Sequence, residues 1–364
     1  MQPADLDVAH RFTQVNGLRA HYVERGEGPI VLLLHGFPES WWSWRHQIGA
    51  LASAGYRVIA PDQRGYGETD RKGPYDLDTL ASDARALLAA VGGDGNGDDR
   101  RADVIGHGWG GAVAWHLAAT RPECVRRLAV LGCPHPAQMA AALRRSARQV
   151  GRSWHLFLFQ LPWLPEQALA RFGRSVYRKR ARLSEGEIAP FLEGLRRPGA
   201  AQAMLGWHRA AFRAALRNWW RVPRYPAIEA ETLLVWGGDD FDLGYQDLVP
   251  GTERYAPRLQ VEVVAGGGHF LHADQPERAN ELLLGFLGSV PKPEGVYQVV
   301  LAAVGENKIG VIREIRDITG LELMAVKELV DSAPQTIVEG ASRKEAEQIR
   351  QKLTEAGAIV EIGP

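Results

Sequence analysis

Six short apolar runs constrain this chain more than any other feature. They are Ile30–Leu34 (IVLLL), Arg57–Ala60 (RVIA), Ala102–Ile105 (ADVI), Leu128–Leu131 (LAVL), Thr232–Val235 (TLLV) and Val261–Val264 (VEVV). Each is followed by a turn-rich segment, and most then lead into a stretch of helical character. Strands that are apolar along their length, separated by helices, are buried on both faces and form a parallel sheet in an α/β fold. Such sheets place their active sites at the carboxyl ends of the strands. The residues just after each run are therefore the ones that carry chemistry.

His35-Gly36-Phe37-Pro38 follows the first run and Pro61-Asp62-Gln63-Arg64-Gly65-Tyr66-Gly67 the second. Gly106-His107-Gly108-Trp109-Gly110-Gly111 follows the third, Trp236-Gly237-Gly238-Asp239-Asp240 the fifth and Gly266-Gly267-Gly268-His269 the sixth. This is the order of an oxyanion-hole loop, a nucleophile elbow, a late acid and a final His. Together with Gly132–Pro136 (GCPHP) and Phe159–Glu166 (FQLPWLPE), it makes residues 10–290 resemble the α/β-hydrolase family, epoxide hydrolases and haloalkane dehalogenases above all. The resemblance implies an α/β-hydrolase fold, with a helical cap over the active site at about 136–226.

One position departs from that family. Where it has an Asp whose carboxylate attacks the electrophilic carbon and forms an ester, this chain has Gly108. Small residues at 106 and 110 keep the sharp strand-to-helix turn, and glycine at its tip tolerates positive φ without strain. The nucleophile itself is missing; its loss costs a serine protease roughly 10⁶-fold. The exchange also spells Gly106-x-Gly108-x-x-Gly111, the text of a dinucleotide fingerprint. Such a site needs an acid about 20 positions on, and residues 126–133 (RRLAVLGC) have none. No cofactor is expected.

The resemblance assigns His269 as general base and Asp240 as the acid that orients it, with Asp239 and Asp242 as near rivals and His107 and His272 outside the motif position. An imidazole titrating near neutrality suits proton transfer at pH 7. Backbone N–H groups of Phe37 and Trp109 would form the oxyanion hole, which needs no particular side chain. Epoxide hydrolases supply two Tyr from the cap; alignment puts His155 at the first position and Trp220 at the second. With Trp41, Trp42, Trp44, Trp154, Trp163 and Trp219, these suggest a large apolar or aromatic pocket. Cys133 reads as a structural thiol rather than a substitute nucleophile. No His, Cys or carboxylate cluster shows metal-ligand spacing.

Composition changes near residue 291. All eleven Trp lie between Trp41 and Trp236, and the last Phe is Phe286. Before residue 292 there are two Lys and 32 Arg; from Lys292 onward there are five Lys and four Arg. The break coincides with Ser289-Val-Pro-Lys-Pro-Glu-Gly295, so residues 1–290 and 296–364 read as separate domains joined by a linker at 291–295. The second has the order βααβαβ: strand Val296–Val304, helix Glu306–Ile318 with Ile309, Ile312 and Ile315 on one face, helix Leu323–Ser332, strand Thr336–Glu339, a helix opened by the capping box Ser342-x-x-Glu345, and strand Ala358–Ile362. Its text and order closely resemble the C-terminal domain of the bacterial ribosomal stalk protein. That domain recruits translation GTPases through a helical surface that would include Lys308 and Arg313. Met324 stands where Lys is common, and the stalk dimerisation segment is missing, which argues against a ribosomal role. A docking or solubilising module, with a protein partner, is the expectation.

Basic and acidic side chains number 43 each, so no global field recruits nucleic acid or an acidic membrane. No stretch approaches the ~20 apolar residues of a membrane span, and MQPADLDVAHRF has no apolar core of a signal peptide. Two cysteines, Cys124 and Cys133, form no CxxC. A cytoplasmic protein acting on a small molecule is expected. Three readings remain: an enzyme in which His269 and Asp240 activate water or move protons in a ring opening, elimination or cyclisation; an ordinary epoxide hydrolase whose Asp has been exchanged at 108; and a silent pocket protein that binds a ligand or partner.

Overall fold

The computed structural model describes residues 6–92, 101–180, 183–217, 222–288, 290, 297–305, 307–341 and 343–363. They divide into two compact units, Met1–Val290 and Pro291–Pro364.

The first unit is built on eight strands: β1 (Ala9–Val15), β2 (Leu18–Arg25), β3 (Ile30–Leu34), β4 (Arg57–Pro61), β5 (Ala102–His107), β6 (Val125–Leu131), β7 (Glu231–Gly237) and β8 (Leu259–Val264). They lie in the order β1-β2-β4-β3-β5-β6-β7-β8. All six apolar runs are strands of the parallel part, from β4 to β8. The antiparallel β1–β2 hairpin at the edge has no apolar run to announce it, its strands reading AHRFTQV and LRAHYVER. Its signal is Asn16-Gly17, at φ 47° and 77°, a pair suited to a tight hairpin turn.

Side chains alternate across the sheet, as strand geometry requires. Leu32 and Leu34 join Val104, Trp115 and the helices Leu77–Val91 and Gly108–Thr120 in one core layer. Val31 and Leu33 join Ile105, Trp44 and the helices Arg45–Ser53 and Pro276–Leu287 in the other. Each such leucine, moved wholly from water, stabilises the fold by about 1.5–3 kcal/mol. Asp103 is a charged residue inside this apolar strand; its carboxylate accepts from Arg126 (2.6 and 3.0 Å) and Arg127 (2.8 and 3.0 Å).

Between β6 and β7 the chain leaves the sheet as helices: Pro136–Arg145, Ala147–Arg152, His155–Leu158, Leu164–Arg180, Glu185–Arg196 and Ala200–Arg217. Trp219 and Trp220 lie outside the described residues.

The second unit has strands β9 (Tyr297–Val304), β10 (Gln335–Ala341) and β11 (Ala358–Gly363), antiparallel in the order β10-β9-β11. Helices Lys308–Thr319, Leu323–Asp331 and Arg343–Glu355 complete the βααβαβ order. Ser342 of the expected capping box and the 291–295 segment lie outside the described residues. The first helix corrects one expectation: Ile309 is 83% exposed, and the core is Leu301, Val311, Ile315, Val326 and Leu353. A three-residue step falls short of a full turn, so 309, 312 and 315 drift around the helix, whereas 311 and 315 stack.

Candidate active site

The turn from β5 into the helix Gly108–Thr120 is the centre of the site. Gly108 is its tip, at φ +51°. Its neighbours are small because backbone passes through the space a side chain would need: a Cβ on Gly106 would lie 2.4 Å from the Gly110 carbonyl oxygen, and one on Gly110 would lie 2.0 Å from that of Leu34. The glycine pattern thus serves the crossing of strand and helix. Gly111 packs against Cys133, whose thiol burial pushes up and keeps protonated.

A Cβ on Gly108 would meet the Gly36 Cα at 3.6 Å and the His269 Nε2 at 3.7 Å, both ordinary contacts. His269 Nδ1 lies 2.9 Å from Asp240 Oδ2. The other oxygen, Asp240 Oδ1, accepts from the backbone N–H groups of Asp242 and Leu243, each at 2.9 Å. Asp240 thus carries a carboxylate that meets the imidazole, and Asp242 contributes a backbone N–H to hold it. With Nδ1–H turned to Asp240, Nε2 presents its lone pair toward the tip of the turn. Trp109 lies in the first turn of its helix, where backbone N–H groups have no intrahelical acceptor. Phe37 follows Gly36 in the loop facing that turn.

Behind the turn lies a buried cluster that the sequence does not reveal. Glu39 Oε2 accepts from the Gly36 N–H (2.7 Å) and lies 2.8 Å from His107 Nδ1. Glu39 Oε1 lies 3.3 Å from His272 Nε2. His107 Nε2 lies 3.0 Å from the His269 carbonyl oxygen. Both His107 nitrogens thus face acceptors, and the ring ties the oxyanion loop to the backbone of His269. Burial alone would raise the Glu39 carboxyl; the His107 and His272 imidazoles override it and hold it well below its ordinary value. Burial pushes His272 down to about 4. The atoms of Glu39, His107 and His272 lie within 4.8 Å of one another, a convergence that their sequence spacing hides. Hydrogen bonds already engage the Glu39 carboxylate and both His107 nitrogens.

The cap closes on the turn through rings. The Trp109 indole N–H donates to His208 Nε2 at 2.8 Å. His208 lies 4.5 Å from Phe37 and 4.9 Å from Phe159 between ring centroids. His155 joins through Phe159 at 5.5 Å. Burial, with His155 nearby, pushes His208 down to about 3, so it is a neutral acceptor at pH 7. His208 carries no motif and was not expected. The Trp expectations divide. Trp41, Trp42 and Trp44 are packed in the core, Trp154 and Trp163 are 59% and 74% exposed, and Trp219 and Trp220 lie outside the described residues.

Comparison with known proteins agrees with this architecture. The model of the "Alpha/beta hydrolase family" matches residues 31–282, and the chain belongs to that family. The "Ribosomal protein L7/L12 C-terminal domain" model matches residues 297–363. The AB hydrolase superfamily protein YfhM of Bacillus subtilis is 36% identical over 289 residues, covering 76% of this chain and 97% of its own length. Human epoxide hydrolase 4 is 32% identical over 291 residues, covering 75% of this chain and 76% of the relative. Among solved structures, an epoxide hydrolase from Vigna radiata superposes with a TM-score of 0.66 at 28% identity, over 77% of this chain and 98% of that one.

Proposed function

We propose that the first unit is an epoxide-hydrolase-like enzyme acting on a bulky apolar or aromatic small molecule without a covalent Asp ester. One observation carries this reading: His269, oriented by Asp240, aims Nε2 at the tip of the elbow, where Gly108 has no side chain to answer it. With no carboxylate at 108 to form an ester, water deprotonated by a base so placed attacks the substrate carbon itself. In ring opening, the water proton passes to Nε2, the water oxygen bonds to the electrophilic carbon, and the ring C–O bond breaks. The alkoxide then takes a proton from the cap side, where His155 stands at the position of a family Tyr. The ring cluster of Phe37, Phe159 and His208 favours an apolar or aromatic substrate.

A second reading rests on the ordinary contacts around the Gly108 Cβ position, which leave room for the first atom of a side chain beside His269. In it the protein is an epoxide hydrolase whose nucleophile has been exchanged. The deciding experiment assays the protein, His269→Ala and Gly108→Asp against styrene oxide-type epoxides and haloalkanes. Turnover by the unaltered protein that vanishes in His269→Ala supports the first reading. Turnover confined to Gly108→Asp supports the second, and no turnover by any variant leaves the chain a binding protein.

A further inference from the structure

The charge balance of the whole chain conceals a strong local excess. Between Pro136 and Pro226 there are sixteen Arg and one Lys against four Glu and no Asp. Three of those Glu are already paired: Glu166 with Arg209 at 2.7 Å, Glu185 with Arg174 at 3.0 Å and Glu187 with Arg45 at 2.6 Å. Among the described residues, no carboxylate meets Arg171, Arg213 or Arg217.

Large apolar side chains stand exposed in the same region. Phe157 is 54% exposed, Trp163 74%, Phe172 58% and Leu216 55%. They lie on connected elements. Phe157 packs edge-on against Phe212 at 5.6 Å, joining the helix His155–Leu158 to Ala200–Arg217, whose last turn exposes Arg213, Leu216 and Arg217. Arg209 of that helix donates to the Leu161 carbonyl at 2.8 Å and so tethers the loop that carries Trp163. Leu164, Arg171 and Phe172 then share one face of the next helix, spaced seven and eight residues apart.

We propose that this face of the cap docks on an anionic lipid surface. Exposed Trp and Phe rest at the boundary of headgroups and acyl chains, and interleaved Arg pair with lipid phosphates. The exposed leucines argue against nucleic acid, which offers them no apolar depth. A second copy of this chain is disfavoured because a two-fold contact sets the same arginines against one another. Docking here is peripheral, since no helix among the described residues is long and apolar enough to cross a membrane. The inference stands apart from the chemistry proposed for the site.

Co-sedimentation of the full chain with phosphatidylglycerol-containing vesicles and with pure phosphatidylcholine vesicles tests it. Binding to the anionic vesicles should exceed binding to the neutral ones at least about tenfold, and should weaken strongly between about 50 and about 500 mM salt. Arg171→Glu/Arg213→Glu/Arg217→Glu should weaken it by about a hundredfold or more. Trp163→Asn/Phe172→Ser should weaken it about tenfold while keeping the salt dependence; Asn tolerates the positive φ at 163. Circular dichroism checks that each variant folds. Should the triple variant not fold, quenching by brominated phosphatidylglycerol, compared between the unaltered protein and Trp163→Asn, reads the same contact. Absent binding to anionic vesicles, equal binding to both kinds, or binding kept in both folded variants overturns the proposal. So does self-association that Trp163→Asn/Phe172→Ser abolishes without any vesicle binding.

Discussion

The Nε2 atom of His269 lies 3.7 Å from the point where a Cβ on Gly108 would stand. A base is thus aimed at a backbone tip that carries no side chain, with Asp240, the Phe37 loop and the first turn at Trp109 around it.

Under the second reading, a carboxylate introduced at that point should support covalent chemistry. Gly108→Asp is expected to form an alkyl-enzyme ester with a reactive epoxide or haloalkane, read as a mass adduct on the intact protein. The left-handed φ of +51° will cost the variant about 1 kcal/mol of stability, a small share of the whole. A folded variant that yields no adduct with any such reagent removes residue 108 from the nucleophile position.

The proton-transfer pair makes a separate prediction. Under the water-activating reading, His269→Ala abolishes turnover. Asp240→Asn lowers kcat by roughly 10⁴-fold, because an amide at Asp240 favours the wrong imidazole tautomer, as in the serine-protease triad. Asp239→Asn should leave kcat within about twofold, since it is the Asp240 carboxylate that meets Nδ1 of the ring. Steady-state kinetics on any turned-over epoxide separates these outcomes; equal losses in the two Asp variants would undo the assignment.

Acid should unfold the first unit earlier than its charge balance suggests. Burial pushes His135 and His208 down to about 3 and His272 to about 4, from an ordinary 6.5. As pH falls below about 6.5, the unfolded chain takes up these three protons while the folded chain refuses them, so stability falls. Each group costs up to about 1.4 kcal/mol per pH unit until its folded value is reached. Glu39 adds to the loss at lower pH, because its depressed carboxyl stabilises the folded state only while ionised. Thermal unfolding followed from pH 8 to pH 4 should show a Tm that is level above about pH 7 and falls steadily below about pH 6. A Tm unchanged down to pH 4.5 contradicts the burial of these imidazoles.

At the far end of β5, Asp103 offers a test of stability divorced from chemistry. Asp103→Ala leaves two half-buried guanidinium groups without their carboxylate, which should cost about 3 kcal/mol. Tm is expected to drop by roughly 5–10 °C with kcat unchanged, because the tip of the strand at His107 is untouched. Loss of activity without loss of stability would reverse that ordering.

The two units should also separate. Truncation after Val290 is expected to leave a folded hydrolase unit, and residues 293–364 should fold alone with a stability of a few kcal/mol. Calorimetry of the full chain and of both pieces should give transitions that superpose. A truncated protein that aggregates, with a tail that stays unfolded, would make the two units one.

Part of this molecule is legible in its sequence alone. Five of the six apolar runs are buried parallel strands, apolar throughout because both faces are covered, and that property is written in consecutive residues; the sixth, Val261–Val264, lies on the edge strand β8, where Val261 and Val263 are 36% and 51% exposed. The elbow at Gly108 and the βααβαβ tail were legible for the same reason: glycine punctuation and helical spacing are local. The β1–β2 hairpin is not legible because β1, an edge strand facing water, keeps polar residues and the buried β2 carries His21 among its apolar ones; its one signal is the pair Asn16-Gly17.

What the tertiary structure alone decided concerns residues far apart in the chain. The text after β7 favours Asp240 over its near rivals Asp239 and Asp242, but it is the backbone path there that turns the Asp240 carboxylate to His269, 29 residues on. Glu39, His107 and His272 come from three elements and meet behind the elbow. His208 reaches Trp109 across 99 residues. Trp42 and Trp163 look alike in sequence, yet one is core and the other stands in solvent. Periodicity reports which face of an element is apolar. It carries no information about which other element will cover that face, and so the alternating runs specified the sheet while the packing of cap on sheet decided the site.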